Sequence, residues 1–285
     1  MSKFFRASLA TALFAMAFGA QAQTVNNAPA FTINPNSNGL ATDGTQFQAN
    51  VMNGISSARV VSLGDNRYQS VGYIQYNGFS LNGQTVSPDD TRLNSRSGYG
   101  LYGTFVQTFS CGSALSPGVS CSIDTINLSL YADQGSNNSY NQATLLADAS
   151  VTARGEQILL GTVSRIIGNP EDSAAGISAG GGAFQNVNTN FDITEAGSNF
   201  FVSPDPFYSF AFSSFQNTSQ GLTCQNANGS GSAANCFNAT VVAINSEVGN
   251  TDFNGAPVDV PEPGALALMG LGLLGMGAYR RKRQK

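Results

Sequence analysis

The sequence predicts an all-β protein built as an antiparallel β-sandwich. Segments 126–132 and 208–215 alternate apolar and polar residues almost perfectly, the pattern of a strand with one buried face. Between the apolar segments lie turn-forming clusters such as Asn77-Gly78 and Asn82-Gly83, which are typical of antiparallel hairpins. No long amphipathic helix with capping residues is found, and no internal repeat favours the alternative of a β-solenoid.

About nine strands follow from these patterns. In chain order they are 71–76, 79–85, 101–109, 126–132, 149–153, 157–167, 184–194, 208–215 and 240–248. Residues 140–151 are the one internal stretch in which we expect a short helix. Residues 24–38, which contain few apolar side chains and two prolines, are expected to form an extended lead-in to the first strand.

The N-terminal 22 residues have the order of features found in a secretory signal peptide. Lys3 and Arg6 precede an apolar run over 7–18, and Ala20 and Ala22 form a cleavage site of small residues. We therefore expect a signal helix, export through the Sec translocon, and cleavage by signal peptidase after Ala22.

The C-terminus carries a second apolar segment, which is shorter than a full membrane span. Residues 264–279 contain no charge, but a helix of this length is only about 24 Å long, less than a hydrocarbon core of about 30 Å. A basic cluster follows, and the positive-inside rule places it on the cytoplasmic side: Arg280, Arg281, Lys282 and Arg283. We expect a short hydrophobic helix in transient contact with the membrane, and everything before residue 261 outside.

Val260-Pro261-Glu262-Pro263, the Gly- and Leu-rich apolar segment and the terminal basic cluster together resemble the PEP-CTERM sorting signal. The resemblance covers about 25 residues, and it implies recognition and removal by exosortase, a membrane protease of bacteria that make exopolysaccharide. Pro261 and Pro263 prevent a continuous helix across the motif. Glu262 is therefore expected to lie in an extended segment presented to the protease at the membrane edge.

These features divide the chain into four parts. They are a signal peptide (1–22), an exported β-rich domain (23–249), a polar spacer (250–260) and a sorting signal (261–285). The spacer would let the membrane protease reach the motif without a clash with the folded domain.

Composition excludes several functional classes for the exported part. It keeps 16 acidic and six basic side chains, a net charge of about −10, which argues against nucleic acid and anionic lipid as partners. The chain has no histidine, so Ser-His-Asp relays, Cys-His relays and His-ligated zinc are excluded. We expect no catalytic residue, no cofactor and no metal.

The four cysteines are expected to form two disulfides in an exported protein. Three pairings are possible in principle, and the spacing favours Cys111 with Cys121 and Cys224 with Cys236. The enclosed segments are rich in Gly, Ser and Asn, so we expect these bonds to close surface loops rather than to join the core.

Two acidic pairs and two loop clusters are the candidate sites for other chemistry. Asp89-Asp90 and Glu171-Asp172 each follow a proline, which indicates turns rather than the paired acids of a glycosidase. Asp133 with Asn137 and Asn138, or Asp65 with Asn66, would supply oxygen ligands for calcium, but a solvated turn is the preferred interpretation.

The aromatic residues of segment 207–215 could belong either to the core or to a binding surface. Tyr208, Phe210 and Phe212 share one face of the predicted strand, so they are expected to belong to the core. Phe207, which follows Pro206, could instead form an exposed platform for a sugar ring.

The expected function is that of a non-enzymatic surface or matrix protein. It would be exported across the inner membrane of a Gram-negative bacterium and would associate with exopolysaccharide, promoting flocculation, cell aggregation or biofilm. With Phe31-Thr32-Ile33-Asn34-Pro35 near its mature N-terminus and its paired loop cysteines, the body resembles PEP-CTERM proteins associated with floc formation. The alternatives are a carbohydrate-active enzyme and a calcium-dependent carbohydrate-binding module of the same compartment.

Overall fold

The computed structural model of the chain describes residues 28–168, 173–217, 221–226, 229–232 and 235–254. Within these residues the protein consists mainly of β-strands in antiparallel ladders, which confirms the predicted fold class. The predicted signal helix in 1–22 and the apolar helix in 264–279 lie outside the described residues.

The described strands, in chain order, are β1 (Phe31–Ile33), β2 (Phe47–Ala49), β3 (Val51–Gly64), β4 (Arg67–Leu81), β5 (Gln84–Thr85), β6 (Tyr99–Cys111), β7 (Ser120–Gln134), β8 (Ser139–Asn141), β9 (Ser150–Thr152), β10 (Gln157–Val163), β11 (Ala174–Ile177), β12 (Ala183–Asn190), β13 (Asp192–Ile193), β14 (Phe201–Ser203), β15 (Phe210–Gln216), β16 (Leu222–Asn226), β17 (Gly229–Ser232) and β18 (Val241–Asn254). Two short helices are described, α1 (Pro88–Thr91) and α2 (Glu195–Phe200), with a 3-10 turn at Ser37–Gly39.

One large sheet contains most of the strands and closes on itself. Its order is β11-β12-β15-β18-β3-β4-β6-β7-β10-β13, and β11 also pairs with the start of β7, where Ala174 lies opposite Ser122. The two halves of the sheet face each other over one core, as in a sandwich. Gln107 of β6 donates a hydrogen bond of 2.7 Å to Gln185 of β12, which shows how closely the two halves approach.

The alternation predicted for 126–132 is confirmed in β7. Ile126, Leu130 and Ala132 are buried in the core, while Asn127 is exposed. Because successive side chains of a strand point to opposite faces, this pattern places one face of β7 on the core.

The alternation in β15 was predicted with the wrong face inside. Ala211, Ser213 and Phe215 are buried, whereas Phe210 and Phe212 are only half-buried on the outer face. Alternation with period two shows that the two faces of a strand differ in polarity. The pairing of β15 with β12 and β18 decides which of its faces points inward. Ser213 is tolerated inside because its hydroxyl is hydrogen-bonded at 2.9 Å to that of Thr251.

The short helix expected at 140–151 is wrong. Strands β8 and β9 pair there instead, and the segment crosses the outer face of the large sheet as a strap. The ring of Tyr140 packs 5.3 Å from that of Tyr73, and the backbone N–H of Ala143 donates to the hydroxyl of Ser57. These long-range contacts outweigh the local helical preference of the segment.

The predicted spacer begins too early. Strand β18 continues to Asn254, opposite Phe210 of β15, so residues 250–254 belong to the sheet and only 255–260 lie outside the described residues. The polar composition of residues 250–254 gave no indication that three of them are buried. The hydroxyl of Thr251 is hydrogen-bonded to Tyr76, and Phe253 enters the core.

The long strands run between two ends of the body that differ in construction. The end at which β18 finishes, near Phe31 and Phe253, is called here the terminal pole. The opposite end holds the turn between β3 and β4 and both pairs of cysteines, and is called the disulfide pole.

Candidate functional site

The residues predicted for processing lie outside the described residues. They are the signal-cleavage residues Ala20 and Ala22 and the sorting residues Pro261, Glu262, Pro263, Arg280, Arg281, Lys282 and Arg283. What the structure does give is the place from which the chain leads to each of them.

Both ends of the described chain lie at the terminal pole. The side-chain amide of Asn50 donates to the carbonyl of Ala28, the first described residue, and the ring of Phe31 packs 5.4 Å from that of Phe253. Phe253 is followed by Asn254, the last described residue before the spacer and the motif. The segments that carry the two predicted processing sites therefore enter and leave the folded body at the same end.

A cluster of phenylalanine rings holds this pole together. Phe253 packs against Phe31, Phe191, Phe201 and Phe207, with ring centroids 4.8–5.5 Å apart and mostly edge-to-face. Such pairs add about 0.5–1.5 kcal/mol each beyond the burial of their area. The strand that precedes the sorting motif is thus fixed in the core by its last ring.

Phe207 belongs to this cluster and is not an exposed platform. Its side chain is 7% exposed, and its ring stacks on that of Phe201 with a centroid distance of 4.7 Å. The alternative of a sugar-binding surface at Phe207 is therefore wrong. The preceding proline suggested a loop, and the loop turns inward because the ring finds aromatic partners there.

At the disulfide pole both predicted pairings are confirmed. Cys111 and Cys121 lie opposite each other on β6 and β7, and Cys224 of β16 is bonded to Cys236. The expectation that the bonds stay clear of the core is wrong, because Cys121, Cys224 and Cys236 are buried within it. The segment between Cys224 and Cys236 was expected to be a loop, but it contains the β16–β17 hairpin.

The two disulfide-closed segments are also bonded to each other. The backbone N–H of Ala239 donates to the carbonyl of Leu115 at 2.9 Å, and that of Asn238 donates to the hydroxyl of Ser116 at 2.9 Å. Leu115 is buried, and its N–H donates to the hydroxyl of Tyr68 on β4. Between Cys236 and Asn238 lies Phe237, whose side chain is 56% exposed.

The first acidic pair forms a turn, as expected. Asp89 and Asp90 lie in α1, whose N-cap Ser87 accepts a hydrogen bond from the N–H of Asp89. Arg92 pairs with Asp43 at 3.2 Å and more loosely with Asp89 at 3.9 Å. The second pair, Glu171 with Asp172, lies outside the described residues.

Asp133 is directed at the protein rather than at a cation. Its Oδ2 accepts hydrogen bonds from the backbone N–H groups of Asn137 and Asn138, both at 2.9 Å. Asp65 and Asn66 have positive φ in the tight turn between β3 and β4. In the part of the chain that the structure describes, no three His, Cys, Asp or Glu side chains group as metal ligands would.

Two buried acidic residues of β18, Glu247 and Asp252, were not predicted from the sequence. Burial raises the pKa of Glu247, and a hydrogen bond from the hydroxyl of Ser56 at 2.5 Å partly opposes the rise. Burial raises the pKa of Asp252 to about 6, partly opposed by a hydrogen bond with Asn254. The alternation of β18, interrupted by a bulge between Asn245 and Glu247, gave no signal of either burial.

Glu247 does not lie in a space that would admit a sugar. Glu247 lines an internal cavity of about 20 Å³ together with Gln107 and Gln185, which is room for about one water molecule. A larger groove of about 530 Å³ lies on the outer face between the strap and strands β4, β6, β7 and β10, and no acidic side chain lines it. Neither of these two spaces therefore offers the glycosidase alternative a pair of acids.

Comparison with known proteins identifies one segment of the chain. Residues 259–283 match the family model described as the PEP-CTERM protein-sorting motif, so the chain carries this motif. No curated protein and no solved structure matches the chain. The helices of the described residues are too short or too polar to cross a bilayer, and residues 264–279 are not among them.

Proposed function

We propose that this protein is a non-enzymatic component of the cell surface or extracellular matrix of a Gram-negative bacterium. It is exported across the inner membrane, sorted by exosortase through residues 259–283, and associates with exopolysaccharide to promote flocculation, cell aggregation or biofilm. The sorting motif is the single observation that carries the proposal, because a PEP-CTERM motif marks an exported protein that exosortase processes at its C-terminus.

The architecture of the body supports this assignment. Two disulfides suit an oxidising compartment outside the cytoplasm. The exported part carries a net charge of about −10 and no lysine, which disfavours retention on anionic lipid or nucleic acid. The described chain begins and ends at the terminal pole, which would let signal peptidase and exosortase act at one membrane surface while the body extends away from it.

The experiment compares three strains: one with the intact chain, one lacking the whole gene, and one lacking only Pro261–Lys285. We expect intact cells to secrete a product that ends near Pro261 by mass spectrometry and to aggregate normally. Deletion of the gene should reduce aggregation, and deletion of the tail should change both the size and the location of the product.

A matched variant separates sorting from folding. Glu262→Gln removes one carboxylate of the motif, at a position beyond the described strands. We expect it to leave the disulfides and the melting temperature unchanged while slowing removal of the tail. Aggregation that is unaffected by deletion of the gene would contradict the matrix role. A mature chain intact through Lys285 in cells that make exosortase would contradict the sorting step.

A further inference from the structure

We propose that the disulfide pole is a contact surface for an uncharged polysaccharide, with the ring of Phe237 stacking on the face of a sugar. This inference rests on the proposed function, since it names the surface and the ligand chemistry through which the body would meet the matrix. It starts from the exposure of one ring.

Phe237 stands apart from the other aromatic side chains of the described residues, all of which are buried or half-buried. Five large apolar side chains of the described residues are exposed, and Phe237 is the aromatic one among them. The other four are Leu63, Val106, Leu146 and Val248. An exposed ring presents an apolar face that water solvates poorly, and the C–H groups of a sugar ring are a suitable partner for it.

The backbone that carries Phe237 is held on both sides. Cys236 is bonded to Cys224, and the N–H groups of Asn238 and Ala239 are hydrogen-bonded to the neighbouring segment 112–119. That segment is itself closed by the bond between Cys111 and Cys121. The ring is therefore presented from a rigid frame, which reduces the entropy lost when a ligand binds.

The composition of the segments around the Phe237 ring favours an uncharged partner. Segments 111–123 and 222–240 contain no Asp, Glu, Lys, Arg or His. They supply the hydroxyl and amide groups of serine, threonine, asparagine and glutamine, which donate and accept hydrogen bonds as sugar hydroxyls require. Charged side chains at this pole include Asp65 in the turn between β3 and β4, Arg67 at the start of β4, and Asp124 of β7, so an anionic polymer would meet two carboxylates and one guanidinium. Since the exported part also carries a net charge of about −10, a neutral glycan fits best.

The position of the pole agrees with this role. The described chain begins and ends at the terminal pole, so the disulfide pole would be the end that faces away from the membrane while the chain is held by its sorting segment. It is the part of the body that meets extracellular material first.

The test uses the full processed protein and the neutral fraction of extracellular polysaccharide purified from the bacterium that makes it. Binding is measured by retardation in a native gel that contains the polysaccharide. Phe237→Ala should weaken binding about fivefold to tenfold, and Phe237→Tyr should restore it because the ring is retained. Val248→Ala, an exposed apolar residue on the outer face of β18, is the matched control and should bind as the unmodified protein does.

Three other outcomes would overturn the inference, and each leads to a different conclusion. Equal binding by Phe237→Ala and the unmodified protein removes the ring from the site but leaves the matrix role intact. Loss of binding in Val106→Ala instead places the site in the outer groove between the strap and β4, β6, β7 and β10. Absence of binding by the unmodified protein to the neutral fraction overturns the inference, while the aggregation of the strain that lacks the gene decides the matrix role separately.

A second copy of the chain is the competing occupant of the exposed ring. Light scattering on the unmodified protein and on Phe237→Ala distinguishes it. A monomer in both cases supports the glycan proposal, whereas a dimer that Phe237→Ala dissociates assigns the ring to self-association and overturns it.

Discussion

The two poles of the body are stabilised by different means. At the terminal pole the first and last described strands are held by packed phenylalanine rings around Phe253, and no disulfide joins the described residues there. At the disulfide pole the segments are rich in Gly, Ser and Asn, and two disulfides with several backbone hydrogen bonds hold them instead. Where the sequence offers few apolar side chains to bury, a covalent link replaces the missing burial.

The difference also fits the demands on each end. The terminal pole receives the strand that continues towards the sorting motif, so a tether there pulls on a central strand of the sheet, between β15 and β3. The disulfide pole carries no chain end among the described residues and is free to make contacts outside the body. Predictions that perturb one pole and spare the other test this division.

The largest expected effect comes from removing the central ring of the terminal pole. Phe253→Ala deletes a fully buried side chain that contacts four other phenylalanines, and should lower the free energy of unfolding by about 3–5 kcal/mol. Urea unfolding followed by circular dichroism measures it. A loss below about 1 kcal/mol would show that the rings do not hold this pole.

The second effect is the removal of a disulfide at the opposite pole. Replacing Cys224 and Cys236 by serine opens a loop with a sequence separation of 12 and should cost about 2–4 kcal/mol. The midpoint of urea unfolding, measured without reductant, gives the value. The loss should be absent when the unmodified protein and the variant are compared under full reduction, and a difference that persists there would contradict a covalent origin.

Some features of the structure can be predicted from the sequence alone, and others cannot. Local alternation was sufficient for the strand at 126–132, and cysteine spacing for both disulfides, because each depends on neighbours in the chain. The inward face of β15, the strap at 139–152 and the burial of Glu247 depend on partners far along the sequence. No local pattern carries that information, which is why the face of Phe210 and Phe212 was predicted wrongly.

The same distinction, between local sequence patterns and contacts that form only in the fold, applies to the candidate site. The sorting motif is a linear peptide, so its residues were recognisable by order and composition. The exposure of Phe237 is a property of the folded surface, set by two disulfides and by contacts with segment 112–119. From the sequence an exposed ring at Phe207 was an open alternative, and the fold buries that ring.

A third prediction concerns pH at the terminal pole. The pKa of Asp252 is raised to about 6 from an ordinary value of 3.8, so the folded state binds its proton more tightly than the unfolded state does. Its contribution to stability is therefore fully present below about pH 4 and is lost as pH rises through about 6. Asp252→Asn, which does not titrate, should gain about 2 kcal/mol relative to the unmodified protein between pH 4 and pH 7.

Urea unfolding of Asp252→Asn and of the unmodified protein at a series of pH values measures this difference. A constant offset between Asp252→Asn and the unmodified protein across the series would mean that the carboxyl of Asp252 titrates as in water.

The smallest expected change in stability belongs to the ring at the disulfide pole. Phe237→Ala removes a side chain that is 56% exposed and has no ring partner among the described residues, so the free energy of unfolding should change by less than about 0.5 kcal/mol. The same substitution at Phe253 is expected to cost several times more, although both replace phenylalanine by alanine. Thermal unfolding of the two variants side by side gives the ratio. A large loss at Phe237 would mean that its ring supports the disulfide frame. A negligible loss, together with weaker retention in the polysaccharide gel, would show that the frame holds the ring for contact outside the molecule.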